Sequence, residues 1–312
     1  MAGVPLMRAS AGASNGTEGM CRIPGGEFWM GSEDFYAEEL PVRRVRVEGF
    51  WIDSHPVTVG EFRRFVEDTG YVTLAERPPD PTDYPGVDPA ALVAGSAVFQ
   101  PTEGPVPLDS MVWWRYVPGA CWHAPEGRGS DVLSLEQHPV THVAYEDAEA
   151  YARWAGRSLP TETEWERAAR GGLEDTRFAW GDEETPGGRW MANTWQGEFP
   201  WQNLELDGYR GTSPVGSFPA NHYGLYDMTG NVWEWTCEPG GQVPTEPWSS
   251  SPPCCAPAGH QGANGDPRRV IKGGSYLCAP NYCLRYRPAA RQAHAVDTST
   301  SHIGFRCVLR EG

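Results

Sequence analysis

Glycine and proline interrupt this chain so often that no long helix can run through it: 37 Gly and 29 Pro stand among 312 residues. Proline breaks helix interiors, and glycine weakens helices and strands through backbone entropy. Short elements joined by much irregular structure must therefore be held by an unusual core. The 14 Trp supply one, because large aromatic side chains bury more surface than any other type. The length allows one large domain or two ordinary ones.

The formal charge of −16 argues against sequence-independent binding of nucleic acid, which needs a basic surface. An acidic surface supports solubility and attracts basic peptides. No run of 18 apolar residues is present, so no membrane span is expected. Residues 1–20 are rich in Ala, Ser and Gly, lack an apolar segment and read as a loose tail rather than a signal peptide. Residues 21–312 then form the domain. The eight cysteines are too few for a disulfide scaffold of this length, and a cytoplasmic location is expected.

Ile23–Gly31, Val42–Val47 and Phe50–Asp53 read as short strands, with Val45 and Val47 in half-buried alternation. A helix is expected over Thr58–Thr69: Phe62, Phe65 and Val66 share a face, Thr58 and Glu61 make a capping box, and Gly70 follows. Residues 77–110 show no sustained period and read as one long loop. Trp113, Trp114 and Trp122 are expected in the core. His138–Val143 reads as a strand, where two histidines four apart are too distant for a compact metal pair. Tyr145–Ala155 and Glu162–Arg170 read as helices, the second opened by a Thr161/Glu164 capping box and closed by Gly171 and Gly172. Residues 242–268 are the least ordered-looking stretch. Val270–Lys272 and Gly304–Val308 close the chain as strands.

The chemistry concentrates in Gly273–Arg287, where Cys278 and Cys283 stand five apart between a Gly-Gly turn and Arg285-Tyr286-Arg287. Thiolates are soft ligands suited to Cu(I), and arginines two and four residues on favour the thiolate. Spacing alone leaves a disulfide or two buried thiols open, since Cys-x4-Cys is not a specific motif.

Several separated blocks agree on one family. They are Arg157–Glu166 with Ala169-Arg170-Gly171-Gly172, Asn193–Pro200, Gly224–Trp235, Gly273–Arg287 and Gly304–Cys307. With Met30-Gly31 and Val57-Thr58, the chain resembles the formylglycine-generating enzymes (sulfatase-modifying factors) of bacterial type, over roughly residues 21–308. The Leu-Pro-Thr-Glu and Gly-Asn-Val-Trp-Glu-Trp blocks mark the wider fold superfamily. The Cys-x4-Cys with Arg-Tyr-Arg separates active oxidases from non-catalytic relatives.

The resemblance implies a single α+β domain of C-type-lectin-like ancestry, acting as a monomer. It implies oxidation of the cysteine in an unfolded sulfatase segment, Cys-x-Pro/Ala-x-Arg, to Cα-formylglycine with O2 and Cu(I). Cys278 and Cys283 would hold the copper, with the substrate thiolate as third sulfur, and Ser275 would hydrogen-bond oxygen species beside it. Calcium is implied at two places: Asn193, Thr194 (carbonyl), Asp207 and Tyr209 (carbonyl); and Asp227, Gly230 (carbonyl), Val232 (carbonyl) and Glu234. Oxygen donors suit that hard cation.

The chain departs from many family members at Ala279, Asn281 and His302, where His, Ser and Asn are common. The final cysteine, Cys307, lacks the partner that secretory relatives carry, because Ala169 stands there. Cys254-Cys255 has no assigned role. The substrate arginine needs an acidic partner, and Glu103 and Asp109 in the long loop are among many candidates. A non-catalytic binding module on the same fold is the alternative, and the cysteine pair argues against it. An iron-dependent sulfoxide synthase needs a clustered histidine triad, which the eight histidines do not form.

Overall fold

The computed structural model describes residues 16–240 and 267–311. Four small sheets and three short helices, among the described residues, carry long irregular connections. β1 (Met20–Ile23), β4 (Phe50–Asp53) and β11 (Val308–Arg310) form an antiparallel sheet with β4 at its centre. β1 begins inside the expected tail, with Met20 paired to Asp53. β2 (Gly26–Met30) and β3 (Arg43–Val47) make a two-stranded ribbon. The largest sheet orders β10 (Ile303–Gly304), β7 (Trp233–Pro239), β8 (Arg268–Lys272) and β9 (Arg291–Ala295), with β10 parallel to β7.

The helices form where their termini are chemically satisfied. α1 (Val59–Thr69) opens with both halves of the Thr58/Glu61 capping box and ends at left-handed Gly70. α3 (Glu162–Arg170) repeats that design with Thr161, Glu164 and Gly171. α2 (Tyr145–Trp154) lies between them. Phe62 and Phe65 of α1 pack on Tyr151 of α2. Trp113, Trp165, Trp233 and Trp235 are fully buried, as an irregular fold with a tryptophan core requires.

Three expectations fail, the first being the Gly304–Val308 strand, since residues 305–307 lie between β10 and β11 and outside both. Residues 77–110 are not one loop: Gly95–Phe99 is β5, paired with β6 (Trp114–Pro118). Gly95, Ser96, Ala97 and Val98 are all buried, so no alternation betrays the strand. β9 is likewise hidden, because its inward positions are Gln292 and His294. His138–Val143 is no strand. Only Pro139 bridges, to Thr58, and the chain turns into α2 at His142, whose φ is 59°. His138 and His142 serve different partners, Thr212 and Ser96. Most of residues 242–268, including Cys254-Cys255, lies outside the described residues. No described helix is long and apolar enough to cross a membrane.

Candidate active site

Gly273 and Gly274 build the entry to the site. Their φ values are 97° and 69°, a region that L side chains rarely adopt. A Cβ on Gly274 would stand 2.9 Å from the Arg285 carbonyl, so the backbone on both sides of the thiols passes in contact here. The chain then folds back on itself. Cys278 N donates to Ser275 O at 2.9 Å, and Cys283 N donates to Ala279 O at 2.7 Å. That single helical turn turns a five-residue spacing into contact: the Cys278 and Cys283 sulfurs lie 3.1 Å apart. A disulfide would need about 2.05 Å, and both cysteines remain thiols.

Both side chains are buried, while Pro280 and Asn281 of the turn above them face solvent. Ser275 N donates to Cys278 Sγ at 3.4 Å, and Ser275 Oγ accepts from Leu277 N at 3.3 Å. Asn281 Nδ2 reaches Glu198, an exposed carboxylate, at 3.2 Å. Tyr282 stacks on Phe199 with ring centroids 4.5 Å apart, which fixes the turn to the aromatic core. Ala279 is buried in that core. His302 shares a 2.7 Å hydrogen bond with Thr300 and packs against the Trp114 ring.

The two arginines have different fates. Arg285 Nη1 lies 3.9 Å from Cys283 Sγ, and its Nη2 donates to Glu38 at 2.6 Å. Its guanidinium covers the Tyr36 ring at 3.8 Å. Arg287 does not serve the thiols as expected. It is buried in an ion pair with Glu39 and lies over Phe35. The Phe35–Glu39 segment was invisible as a site component in the sequence, although its acids complement the Arg-Tyr-Arg run. Tyr36 Oη accepts from Leu284 N at 3.0 Å. Burial and then the nearby Cys283 push the Tyr36 hydroxyl up to about 12, so it stays protonated.

In the first oxygen cluster, backbone N–H groups hold the Asp207 carboxylate. Asp207 accepts from Tyr209 N at 3.0 Å and from Thr194 N at 3.2 Å. Asn231, which the sequence left without a role, ties the cluster to the rest: its N donates to Asn193 O at 2.9 Å and its Oδ1 accepts from Ser213 N at 3.0 Å. Burial raises the Asp207 carboxyl against the donors around it. The Thr194 carbonyl accepts from the Gln196 side-chain amide, and carboxylate and carbonyl oxygens are the donor types that suit a hard cation.

In the second cluster other side chains hold Glu234. Arg306 Nε and Nη2 each donate to Glu234 at 2.8 Å, and Trp165 Nε1 donates at 2.7 Å. Both Glu234 oxygens thus face donors, and its charge is already balanced. Asp227 accepts from Gly216 N at 2.7 Å. Burial carries its carboxyl up to about 6, against Gly216 and Arg306. Of the acids considered for substrate, Glu103 lines an open groove of about 430 Å3 with Thr102, Val106 and Arg115, and Asp109 does not.

Residues 8–311 match the sulfatase-modifying factor enzyme 1-like domain. A formylglycine-generating enzyme of Mycobacterium tuberculosis is 58% identical over 292 residues, covering 92% of this chain and 96% of that one. One from Thermomonospora curvata is 46% identical over 294 residues, 93% of each chain. Among solved structures, PvdO from Pseudomonas aeruginosa aligns with a TM-score of 0.58 at 25% identity over 94% of both chains.

Proposed function

Because the chain belongs to the sulfatase-modifying factor enzyme family, we propose that it converts the cysteine of sulfatase segments of the type Cys-x-Pro/Ala-x-Arg to Cα-formylglycine. The observation that carries this reading is the 3.1 Å contact between the Cys278 and Cys283 sulfurs beneath a solvent-facing turn. Two adjacent thiols with no disulfide suit a soft metal ion, and we assign Cu(I) to them. Bound there, copper supplies one-electron chemistry with O2 that the protein's own groups lack.

The residues of the chain bind and position. The Ser275 N–H points at Cys278 Sγ and favours its thiolate. Arg285, kept near by Glu38 and Tyr36, sets positive charge beside Cys283. The Phe199–Tyr282 stack ties the Pro280-Asn281 turn to the aromatic core. An extended peptide can then lay its cysteine over the pair, with Glu198 and Glu103 as the carboxylates offered to its arginine. We further propose one structural Ca2+ at Asn193, Thr194, Asp207 and Tyr209, and none through Glu234. We also propose that the protein acts as a monomer in the cytoplasm, a reading that the free thiols of the pair support.

The test is aerobic incubation of the Cu(I)-loaded protein with a Cys-x-Pro-x-Arg peptide, followed by mass spectrometry. Conversion to the aldehyde, lost in Cys278→Ser and in Cys283→Ser, is the expected result. Copper binding without conversion would move the defect to Ala279 and Asn281 around the pair. Neither binding nor conversion would make the protein a binding module on the same fold.

A further inference from the structure

Among the described residues, one grouping of three His, Cys, Asp or Glu side chains has donor atoms close enough to share an ion. It is Glu76, Cys121 and His123, whose donor atoms all lie within 4.8 Å of one another. None of them belongs to the sites above. His123 Nε2 and Glu76 Oε1 are 3.2 Å apart. Tetrahedral zinc, with bonds of about 2.0–2.3 Å, needs ligand separations of roughly 3.3–3.8 Å. The Glu76–His123 separation is already near that size, and the 4.8 Å bound on the others leaves a shift of about 1 Å at most.

Each donor is held by backbone chemistry rather than left to rotate. Glu76 Oε2 accepts from Thr73 N at 2.9 Å and from Thr73 Oγ1 at 2.6 Å, which turns Oε1 toward His123. The Thr73–Glu76 turn is anchored to α2 through Leu74 N and Asp147 Oδ1, 3.1 Å apart. On the other side, Cys121 and Ala124 exchange backbone hydrogen bonds of 3.1 Å, a tight turn that presents His123 beside the sulfur. The backbone N–H groups of His123 and Ala124 face the Cys121 sulfur. Donors aimed at a sulfur are the outer contacts that orient and stabilise a thiolate ligand. Cys121 is 3% exposed, whereas half of the His123 side chain is in solvent.

We propose that Glu76, Cys121 and His123 bind a zinc-class divalent cation, with a solvent water as fourth ligand on the His123 side. The mixed sulfur, imidazole and carboxylate set selects that class. Calcium and magnesium take oxygen shells, and a borderline cation accepts all three donors. The ion clips the Thr73–Glu76 turn to the Cys121–Ala124 turn and so fixes the start of the long segment that leads to β5. Binding releases the Cys121 proton, and it stabilises the folded chain in proportion to the free ion.

The test uses the full chain carrying Cys278→Ser and Cys283→Ser, so that the active-site thiols cannot compete. Cobalt(II) is added first as a spectroscopic probe, then zinc. The expected result is a thiolate-to-cobalt charge-transfer band that zinc displaces. His123→Ala, at a half-exposed position, should weaken binding by more than about tenfold, the lower end of losses seen when even outer contacts of a metal site are removed. Its metal-free unfolding midpoint should not move. Cys121→Ser should remove the band. Absence of the band overturns the site. So does a cobalt affinity that His123→Ala leaves unchanged, since the cation then sits on other thiols.

Discussion

Arg287 Nη1 donates to Glu39 Oε2 at 2.9 Å across 248 residues of sequence, and the two side chains are 1% and 0% exposed. The pair seats the Phe35–Glu39 segment against the strand of residues that carries Cys283, and with it the Tyr36 ring and the Glu38 carboxylate that hold Arg285. Burial pushes the Glu39 carboxyl up, and the Arg287 guanidinium works against it.

Removing one member of this pair strands the other in the interior. Glu39→Gln should cost roughly 3–5 kcal/mol of stability, and Glu39→Leu with Arg287→Met should recover most of it. Urea unfolding of the single and double variants measures both. A single variant within about 1 kcal/mol of the parent would show that the pair sets geometry without contributing stability.

Gly274 carries the approach of two backbone strands. Gly274→Ala adds a methyl 2.9 Å from the Arg285 carbonyl at a φ of 69°. Left-handed backbone at a non-glycine residue costs about 1–3 kcal/mol before any clash. The variant should lose at least that much stability, and its Cys278 and Cys283 should react faster with a thiol reagent. Unchanged thiol protection would mean that the Arg285 backbone yields without disturbing the pair.

His142 is sealed in the core beside Ser96, and burial lowers its imidazole from 6.5 to about 3. The unfolded chain binds a proton there that the folded chain refuses. Stability contributed by His142 is therefore lost as pH falls from about 6.5 toward about 3. Asn tolerates the left-handed backbone that His142 adopts. His142→Asn should be less stable at neutral pH, yet lose less on acidification to pH ~4.5. Buried carboxyls such as Asp53 and Asp147, raised to about 6 by burial, act in the opposite sense in both proteins. The difference between the two chains therefore carries the sign. Equal losses on acidification would contradict the assignment.

Calcium should raise the unfolding midpoint, and a chelator should reverse it. An ion at a hundred times its dissociation constant stabilises by about 2.7 kcal/mol. Asp207→Asn should abolish the response, whereas Glu234→Gln should lower stability and keep the response. A response that survives Asp207→Asn would place the ion at Asp227 or elsewhere.

Local chemistry was legible in the sequence. The Thr58/Glu61 and Thr161/Glu164 boxes, the glycines at 70 and 171, and the buried tryptophans act over one turn or through the size of one side chain. Cys278 and Cys283 belong to this class, because a single turn with a 2.7 Å hydrogen bond brings them together. Strands β5 and β9 escaped because their buried faces carry Gly, Ser, Gln and His, which give no hydrophobic alternation. The fate of each charge was decided only in three dimensions. Arg287 found Glu39, Arg306 found Glu234, and Glu76 met His123 across 47 residues. A buried charge must have a partner, but the energy depends on separation in space and not along the chain. The residue types therefore fix which chemistry is available, and tertiary packing decides which groups remain for a metal or a substrate.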